Sequence, residues 1–139
     1  MSLPITALAF DYGTRHLGLA IGQTLTGTAN PLSPLKCRDG VPNWEEVAAV
    51  LAEWKPDLLV VGLPLNMDGS ESEMSRRAKK FANRLHGRFG LQVNCVDERL
   101  TSFEAKSRVA PGSAERHQGG AIDSLAAVVI LEAWLAAPG

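Results

Sequence analysis

Three acidic residues of this chain, Asp11, Glu98 and Asp123, lie near the ends of predicted strands and helices and are candidate catalytic residues. Asp11 ends the apolar run of residues 5–10 and precedes a turn glycine, so it is predicted to lie at the C-terminal end of a buried strand. Glu98 stands at the end of a second predicted strand, and Asp123 lies in the first turns of an otherwise apolar helix. An isolated Asp-x-Gly is more often a turn cap, so the functional interpretation of Asp11 depends on the other two acids. Because ligands of open α/β sheets bind at the carboxyl ends of strands, we expect the three acids to converge there.

Converging carboxylates predict a metal site. Three such groups repel one another and raise one another's pKa values unless a divalent cation neutralises them. A ligand set made only of oxygen atoms, with no paired Cys or His, favours Mg²⁺ or Mn²⁺ over zinc. Two such ions can hold the attacking water and the leaving oxygen of a phosphodiester. The three acids therefore indicate a metal-dependent nuclease, in which Asp11 bridges both ions while Glu98 and Asp123 each complete one.

The elements that position these acids follow from the hydrophobic periodicity. Strands are predicted at residues 5–10, 16–22, 27–36, 58–63 and 91–96, and helices at 43–55, 73–88, from Thr101 and at 121–136, with a loop over 110–120. The first three strands form an antiparallel meander, and the other two add in parallel through helical crossovers. The strands that end on Asp11 and Glu98 look adjacent. The prediction is a single α/β domain over residues 1–139, whose five-stranded mixed sheet is flanked by helices and has the strand of Asp11 and strand 58–63 at its centre.

Composition and charge limit the classes of function. With 45% hydrophobic and 21% charged residues, the composition is that of an ordinary globular protein. Cys37 and Cys95 match neither a CxxC nor a zinc spacing, which indicates reduced thiols. The first residues lack a basic segment and no apolar run reaches the length of a membrane span, so a cytoplasmic protein is predicted. A formal net charge of -1 argues against strong, indiscriminate binding of nucleic acid.

The predicted helix 73–88 is amphipathic and basic. Its charged residues beyond Met74 are all cations, namely Arg76, Arg77, Lys79, Lys80, Arg84 and Arg88. Such a surface suits a phosphate backbone, and a solvated basic face is the alternative. The loop over residues 62–70 leaves the edge where Asp11 is expected and is either a substrate contact or a connector. The predicted substrate contacts are Thr14, Arg15, Arg77, Lys80, Arg84 and Arg99.

Four segments resemble the successive motifs of one protein family. Residues 10–14, 61–64, 97–102 and 122–127 read FDYGT, VGLP, DERLTS and IDSLAA. In this order, over nearly the whole chain, they look like the motifs of the bacterial YqgF/RuvX family. The resemblance implies an RNase H-like fold, a relationship to Holliday junction resolvases of the RuvC type, and a role as a nuclease that matures the 5′ end of pre-16S rRNA. Carried over by position, it also implies that Asp11, Glu98 and Asp123 are the catalytic, metal-binding acids.

One departure from related resolvases concerns the last helix. Related resolvases often have a further acid or His one turn before the helix Asp, and this chain has Gly120 at that position. His117 lies further back and would face a different side of a continuing helix from Asp123, so we interpret it as a loop His. The candidate site therefore consists of three acids, and resolution of Holliday junctions remains an alternative function.

Three alternative functions remain. A Holliday junction resolvase that acts on branched DNA would need two active sites and hence a dimer, whereas the sequence indicates only a monomer or weak homodimer. A phosphate-binding ATPase of the actin and sugar-kinase type shares the pattern Asp11-x-Gly13-Thr14, but those proteins close two domains around the nucleotide. A non-catalytic ribosome-assembly factor would bind nucleic acid without turnover, but acids used only for binding would oppose the affinity for nucleic acid.

Overall fold

The computed structural model describes residues 4–98 and 124–136, which form a mixed sheet with helices on both faces. The strands are β1 (Thr6–Asp11), β2 (His16–Gln23), β3 (Thr28–Arg38), β4 (Val41–Pro42), β5 (Leu58–Leu63) and β6 (Gln92–Asp97). The helices are α1 (Trp44–Trp54), α2 (Glu73–Phe89) and α3 (Leu125–Ala136). The predicted helix from Thr101 and the predicted loop over 110–120 lie outside the described residues.

The sheet order β4-β3-β2-β1-β5-β6 confirms the predicted α/β class. β1, β2 and β3 form the expected antiparallel meander, and β5 and β6 add to β1 in parallel. β1 and β5 lie side by side inside the sheet, as predicted. None of the helices in the described part of the chain is long and apolar enough to cross a bilayer.

The described sheet has six strands where five were predicted, because β3 continues past its prolines into a tight hairpin. Asp39 and Gly40 connect β3 to β4 and have φ values of 49° and 81°. Positive φ at both central residues is the conformation of a two-residue hairpin turn, for which Asp-Gly is a preferred pair. The short β4 pairs only with the last two residues of β3, so the earlier part of β3 remains the edge position that its prolines require.

The side chains of β1 alternate between two separate cores. Leu8 and Phe10 pack with the side chains of α1 and α2 on one face of the sheet. Ala7 and Ala9 lie under α3 on the other face, where their small size lets the helix approach closely. Because successive side chains of a strand point to opposite faces, the side chain of Asp11 lies on the α3 face. The apolar last helix is buried against the sheet, as its composition predicts.

Polar caps determine where the two helices of the other face begin. The side chain of Asn43 accepts a hydrogen bond from the Glu45 amide at 2.9 Å, so α1 begins where the sequence predicts it. The Ser72 hydroxyl accepts from the Ser75 amide at 3.0 Å and donates to the Pro64 carbonyl at 2.5 Å. Since Pro64 directly follows β5, this pair of bonds ties the start of α2 to the carboxyl edge of the sheet.

Candidate active site

Asp11 and Glu98 lie at the same edge of the sheet, on the two sides of β5. β1, β5 and β6 are parallel, so their carboxyl ends meet at one edge. Phe10 is in register with Val61, and Leu63 is in register with Asp97, the residue before Glu98. The sequence suggests that the strands ending on the two acids are adjacent. This prediction is wrong, because β5 lies between them. Two strand spacings correspond to roughly 10 Å between their backbones.

Gly62 allows the Glu98 side chain to reach across β5. A Cβ atom added to Gly62 would lie 3.1 Å from Glu98 Cγ and 2.5 Å from Ile130 Cδ1. The Glu98 side chain therefore lies over Gly62, on the face covered by α3 and thus on the same face as Asp11. The missing side chain at position 62 provides the space that the Glu98 side chain occupies over β5.

Burial changes the acidity of Asp11. The pKa of its carboxyl group is raised from 3.8 to about 6, because the surrounding protein removes water from the charged form. A bound cation would offset that cost, and two carboxylates on one face supply the hard oxygen ligands that Mg²⁺ and Mn²⁺ prefer. The donor set at this edge therefore fits a divalent metal. Within residues 4–98 and 124–136, no group of three His, Cys, Asp or Glu side chains forms a candidate metal site, and Asp123 lies outside that part of the chain.

Ser124 fixes the start of α3 against β2 and β3. Its fully buried hydroxyl accepts a hydrogen bond from the Leu19 amide at 3.0 Å and donates one to the Leu32 carbonyl at 2.6 Å. These two backbone groups belong to facing residues of β2 and β3, at a place where the register of the two strands shifts. Leu19 also pairs with Phe10, the residue before Asp11. The hydroxyl thus bridges a backbone amide of β2 and a backbone carbonyl of β3 where their register shifts, at the level of the candidate site. Sequence reasoning missed this role.

The basic side chains of α2 differ in whether they already bind another residue of the protein. Arg77 donates to the Asp39 carbonyl at 2.8 Å and lies 3.4 Å from the Asp39 carboxylate. Lys79 forms an ion pair with Glu71. The side chains of Lys80 and Arg84 are exposed and form no ion pair with any residue that the structure describes. Of the predicted substrate contacts on this helix, Lys80 and Arg84 are therefore the ones available to a ligand.

The remaining predicted contacts lie in or near the turn between β1 and β2. The backbone carbonyls of Thr14 and Arg15 accept hydrogen bonds from Gly40 (2.9 Å) and Cys37 (2.7 Å), so this turn supports the β3–β4 hairpin. The Arg15 side chain is exposed. Arg99, like His117, lies outside the described residues.

The loop that follows β5 is held by its own polar groups. Asp68 accepts hydrogen bonds from the amide (2.9 Å) and hydroxyl (2.6 Å) of Ser70, and the Asn66 amide donates to the Ser70 carbonyl at 2.9 Å. At its tip, the Met67 side chain is 93% exposed. This ordered loop leaves the sheet edge at which Asp11 and Glu98 lie, as the sequence predicts.

Comparison with known proteins identifies the family. The family model described as "RuvX: Holliday junction resolvase" matches residues 5–137. The chain belongs to the RuvX family. Among curated members, a protein of Azotobacter vinelandii is 56% identical over 137 residues, covering 98% of this chain and 96% of its own. A protein of Haemophilus influenzae is 54% identical and covers 94% of each chain. Both relatives are named as candidate pre-16S rRNA nucleases.

Solved structures place this RuvX chain in the RNase H-like resolvase fold. RuvC of T. thermophilus, determined with a Holliday junction, superposes with a TM-score of 0.58 at 16% identity and covers 93% of this chain and 91% of its own. The yeast mitochondrial resolvase Ydc2 has a TM-score of 0.57 at 8% identity, over 93% of this chain and 77% of its own. At such low identity, these similarities establish the fold alone.

Proposed function

We propose that this protein is a divalent-metal-dependent nuclease that hydrolyses phosphodiester bonds during maturation of the 5′ end of pre-16S rRNA. The observation that carries the proposal is the pair of carboxylates, Asp11 and Glu98, that flank Gly62 on one face at the carboxyl edge of the sheet. The names of relatives that are 54–56% identical over nearly their whole length support the choice of substrate. A protein that acts on pre-rRNA would work in the bacterial cytoplasm. We further propose that residues 1–139 form one nuclease domain.

The chain's own residues have distinct roles in this proposal. Asp11 would hold the Mg²⁺ or Mn²⁺ ions as their shared ligand, because it ends the inner strand β1 and its burial favours a bound cation. Glu98, whose side chain lies over Gly62, would complete one metal site. Asp123 would complete the other, a role supported by its neighbour Ser124, whose hydroxyl accepts a hydrogen bond from Leu19, the residue that pairs with Phe10. When bound, the ions supply an activated water and stabilise the leaving oxygen.

Contacts with phosphates position the substrate without reading its sequence. Lys80 and Arg84 are the strongest candidates because their charges are available. Arg15 is exposed beside the site, and Thr14 and Arg99 remain candidates from the sequence. Arg77 contributes indirectly, because it holds the β3–β4 hairpin in place.

Resolution of Holliday junctions is the second candidate function, since the family model carries that description. A resolvase that cuts both strands of a symmetric junction needs two active sites, which a monomer or weak homodimer would assemble only on the DNA. A purely binding role is disfavoured because a buried carboxylate at the site opposes the affinity for nucleic acid.

The decisive experiment compares two substrates under identical conditions. Purified protein is incubated with Mg²⁺ and either an RNA that spans the precursor 5′ end of 16S rRNA or a four-way DNA junction. We expect cleavage of the RNA, loss of this cleavage in Glu98→Gln, and at most weak cleavage of the junction. Efficient, symmetric cutting of the junction with intact RNA would overturn the assignment of the substrate. Cleavage of neither substrate would overturn the nuclease assignment.

A further inference from the structure

A cleft of about 230 Å³ lies on the face of the sheet opposite the carboxylates. It separates α2 from the β3–β4 hairpin, and we call it the hairpin cleft. Residues that line it include Tyr12, Asp39, Gly40, Trp44, Lys80 and Arg84. Tyr12 directly follows Asp11 in the chain, and consecutive residues leaving a strand direct their side chains to opposite faces. The hairpin cleft and the candidate active site therefore share one short piece of backbone at the edge of the sheet.

The walls of the hairpin cleft are fixed in position. The Tyr12 hydroxyl donates a hydrogen bond to the Gly40 carbonyl at 2.9 Å, and Arg77 donates to the Asp39 carbonyl at 2.8 Å. A Cβ atom on Gly40 would lie 2.1 Å from Tyr12 Oη, and its φ of +81° also favours glycine. The hairpin therefore closes directly onto Tyr12 and α2, and the cleft exists before any ligand binds.

The charge of the hairpin cleft favours an anion. Its lining contains the cations Arg77, Lys80 and Arg84 and the single acid Asp39, which gives a net charge of +2 (three minus one). Asp39 and Arg77 already face each other at 3.4 Å. The surplus charge thus belongs to Lys80 and Arg84, at positions i and i+4 on one side of α2, where one nucleic-acid strand can contact both.

The aromatic rings that line the hairpin cleft already pack against other side chains of the protein. Trp44 packs against Phe81 and Phe89, with ring centroids 5.9 and 6.3 Å apart, and the Arg88 guanidinium lies 4.3 Å from its ring centre. Tyr12 packs against Phe81 at 5.2 Å. These rings stack on one another and on an arginine instead of offering open faces to bases, so the cleft suits a sugar-phosphate backbone more than a base.

Geometry restricts this backbone to a single strand. Lys80 and Arg84 lie on α2, one packed layer away from the sheet whose edge carries Asp11, and packed layers are about 10 Å apart. A strand with about 3.4 Å per nucleotide spans that distance in about three nucleotides. A duplex is too stiff to turn from one face of the sheet to the other over so short a distance, since even DNA has a persistence length of about 150 base pairs. A single strand can make that turn.

We propose that the hairpin cleft binds the single-stranded backbone of the substrate about three nucleotides from the scissile phosphate, with Lys80 and Arg84 as its phosphate contacts. This inference rests on the proposed nuclease function and adds a requirement to it. The substrate must carry a single-stranded segment long enough to leave the active site and reach the other face of the sheet.

The experiment measures binding and cleavage on RNA duplexes whose single-stranded extension increases one nucleotide at a time. Binding is followed by fluorescence anisotropy in the Asp11→Asn background, which removes cleavage, and cleavage is followed with intact Asp11. Lys80→Gln/Arg84→Gln is the test variant. Arg76→Gln/Lys79→Gln is the control, because it removes the same charge from another side of α2.

We expect affinity to rise steeply once the extension reaches about three nucleotides, and the test variant to lose that gain. For two phosphate contacts to a single strand, the loss is about tenfold at 0.15 M salt, and the slope of log affinity against log salt falls by about 1.4. The control variant should retain the step.

Equal losses in the two variants, or affinity independent of extension length, would overturn the inference about the hairpin cleft. If the protein with Asp11 intact still cleaves RNA in that case, the proposed function stands. If the length step is present and is lost in the test variant, but no substrate is cleaved, the binding of a single strand in the hairpin cleft stands and the nuclease assignment fails.

Discussion

Replacing Asp11 with Asn should stabilise the metal-free protein while removing its activity. Burial raises the pKa of the Asp11 carboxyl to about 6, so its charged form is less stable in the folded protein than in the unfolded chain. The asparagine side chain has nearly the same shape and carries no charge at any pH. The substitution therefore relieves the cost of burying a charge that the wild-type protein bears without metal.

The magnitude follows from the difference in pKa. Between pH 3.8 and about 6 the folded state holds a proton that the unfolded state has lost, so the stability of the wild-type protein falls as pH rises through this window and levels off above it. Each pKa unit corresponds to about 1.4 kcal/mol, so the full effect is about 3 kcal/mol. Asp11→Asn should thus match the wild type near pH 4 and exceed it by up to about 3 kcal/mol above pH 7, or about 10 °C in Tm.

Urea and thermal unfolding from pH 4 to 8, with EDTA and then with Mg²⁺, measure this difference. Mg²⁺ should stabilise the wild type and leave Asp11→Asn unchanged, because the variant lacks the shared ligand. Glu53→Gln, on the exposed surface of α1, is the control and should change stability by less than about 0.5 kcal/mol at every pH. A variant that unfolds more easily than the wild type at pH 8 would refute the reasoning and show that the Asp11 carboxylate is structural.

Two further substitutions test the contacts that hold the site. Ser124→Ala should lower the free energy of unfolding by about 2–4 kcal/mol in urea titrations, because the Leu19 amide and its partner carbonyl lose a buried hydroxyl, and a loss below about 0.5 kcal/mol would contradict this role. Gly62→Ala should cost about 1–3 kcal/mol through overpacking against Ile130, and should slow cleavage at temperatures where the protein stays folded, because it displaces Glu98. Undiminished cleavage by Gly62→Ala would mean that the Glu98 carboxylate does not need to cross position 62.

The features that the sequence predicts well are those that depend on local pattern. The continuous apolar run of residues 58–63 coincides with β5, because a strand buried on both faces needs apolar residues at every position. The position of Asp11 at a strand end and the burial of the last helix follow from equally local signals. The missed β4 also had such a signal, since Asp39-Gly40 is a favoured hairpin pair.

The features that sequence reasoning could not predict depend on partners distant in the chain. Ser124 acts on backbone groups of β2 and β3 that are left apart by a register shift, which no periodicity reveals. Arg77 is distinguished from Lys80 only by the Asp39 carbonyl, which lies 38 residues earlier in the chain. Whether Gly62 is a spacer or an ordinary strand glycine becomes clear only when Glu98 and α3 are in place.

The most direct test of the account is the dependence of cleavage on both metal and Asp11. Purified wild-type protein, Asp11→Asn and Glu53→Gln are incubated with RNA that spans the 5′ end of precursor 16S rRNA, with Mg²⁺ or with EDTA. We predict cleavage by the wild type and by Glu53→Gln only with Mg²⁺, and none by Asp11→Asn although it is folded. Cleavage by Asp11→Asn at the wild-type rate, or cleavage that persists in EDTA, would contradict the claim that Asp11 holds the catalytic metal.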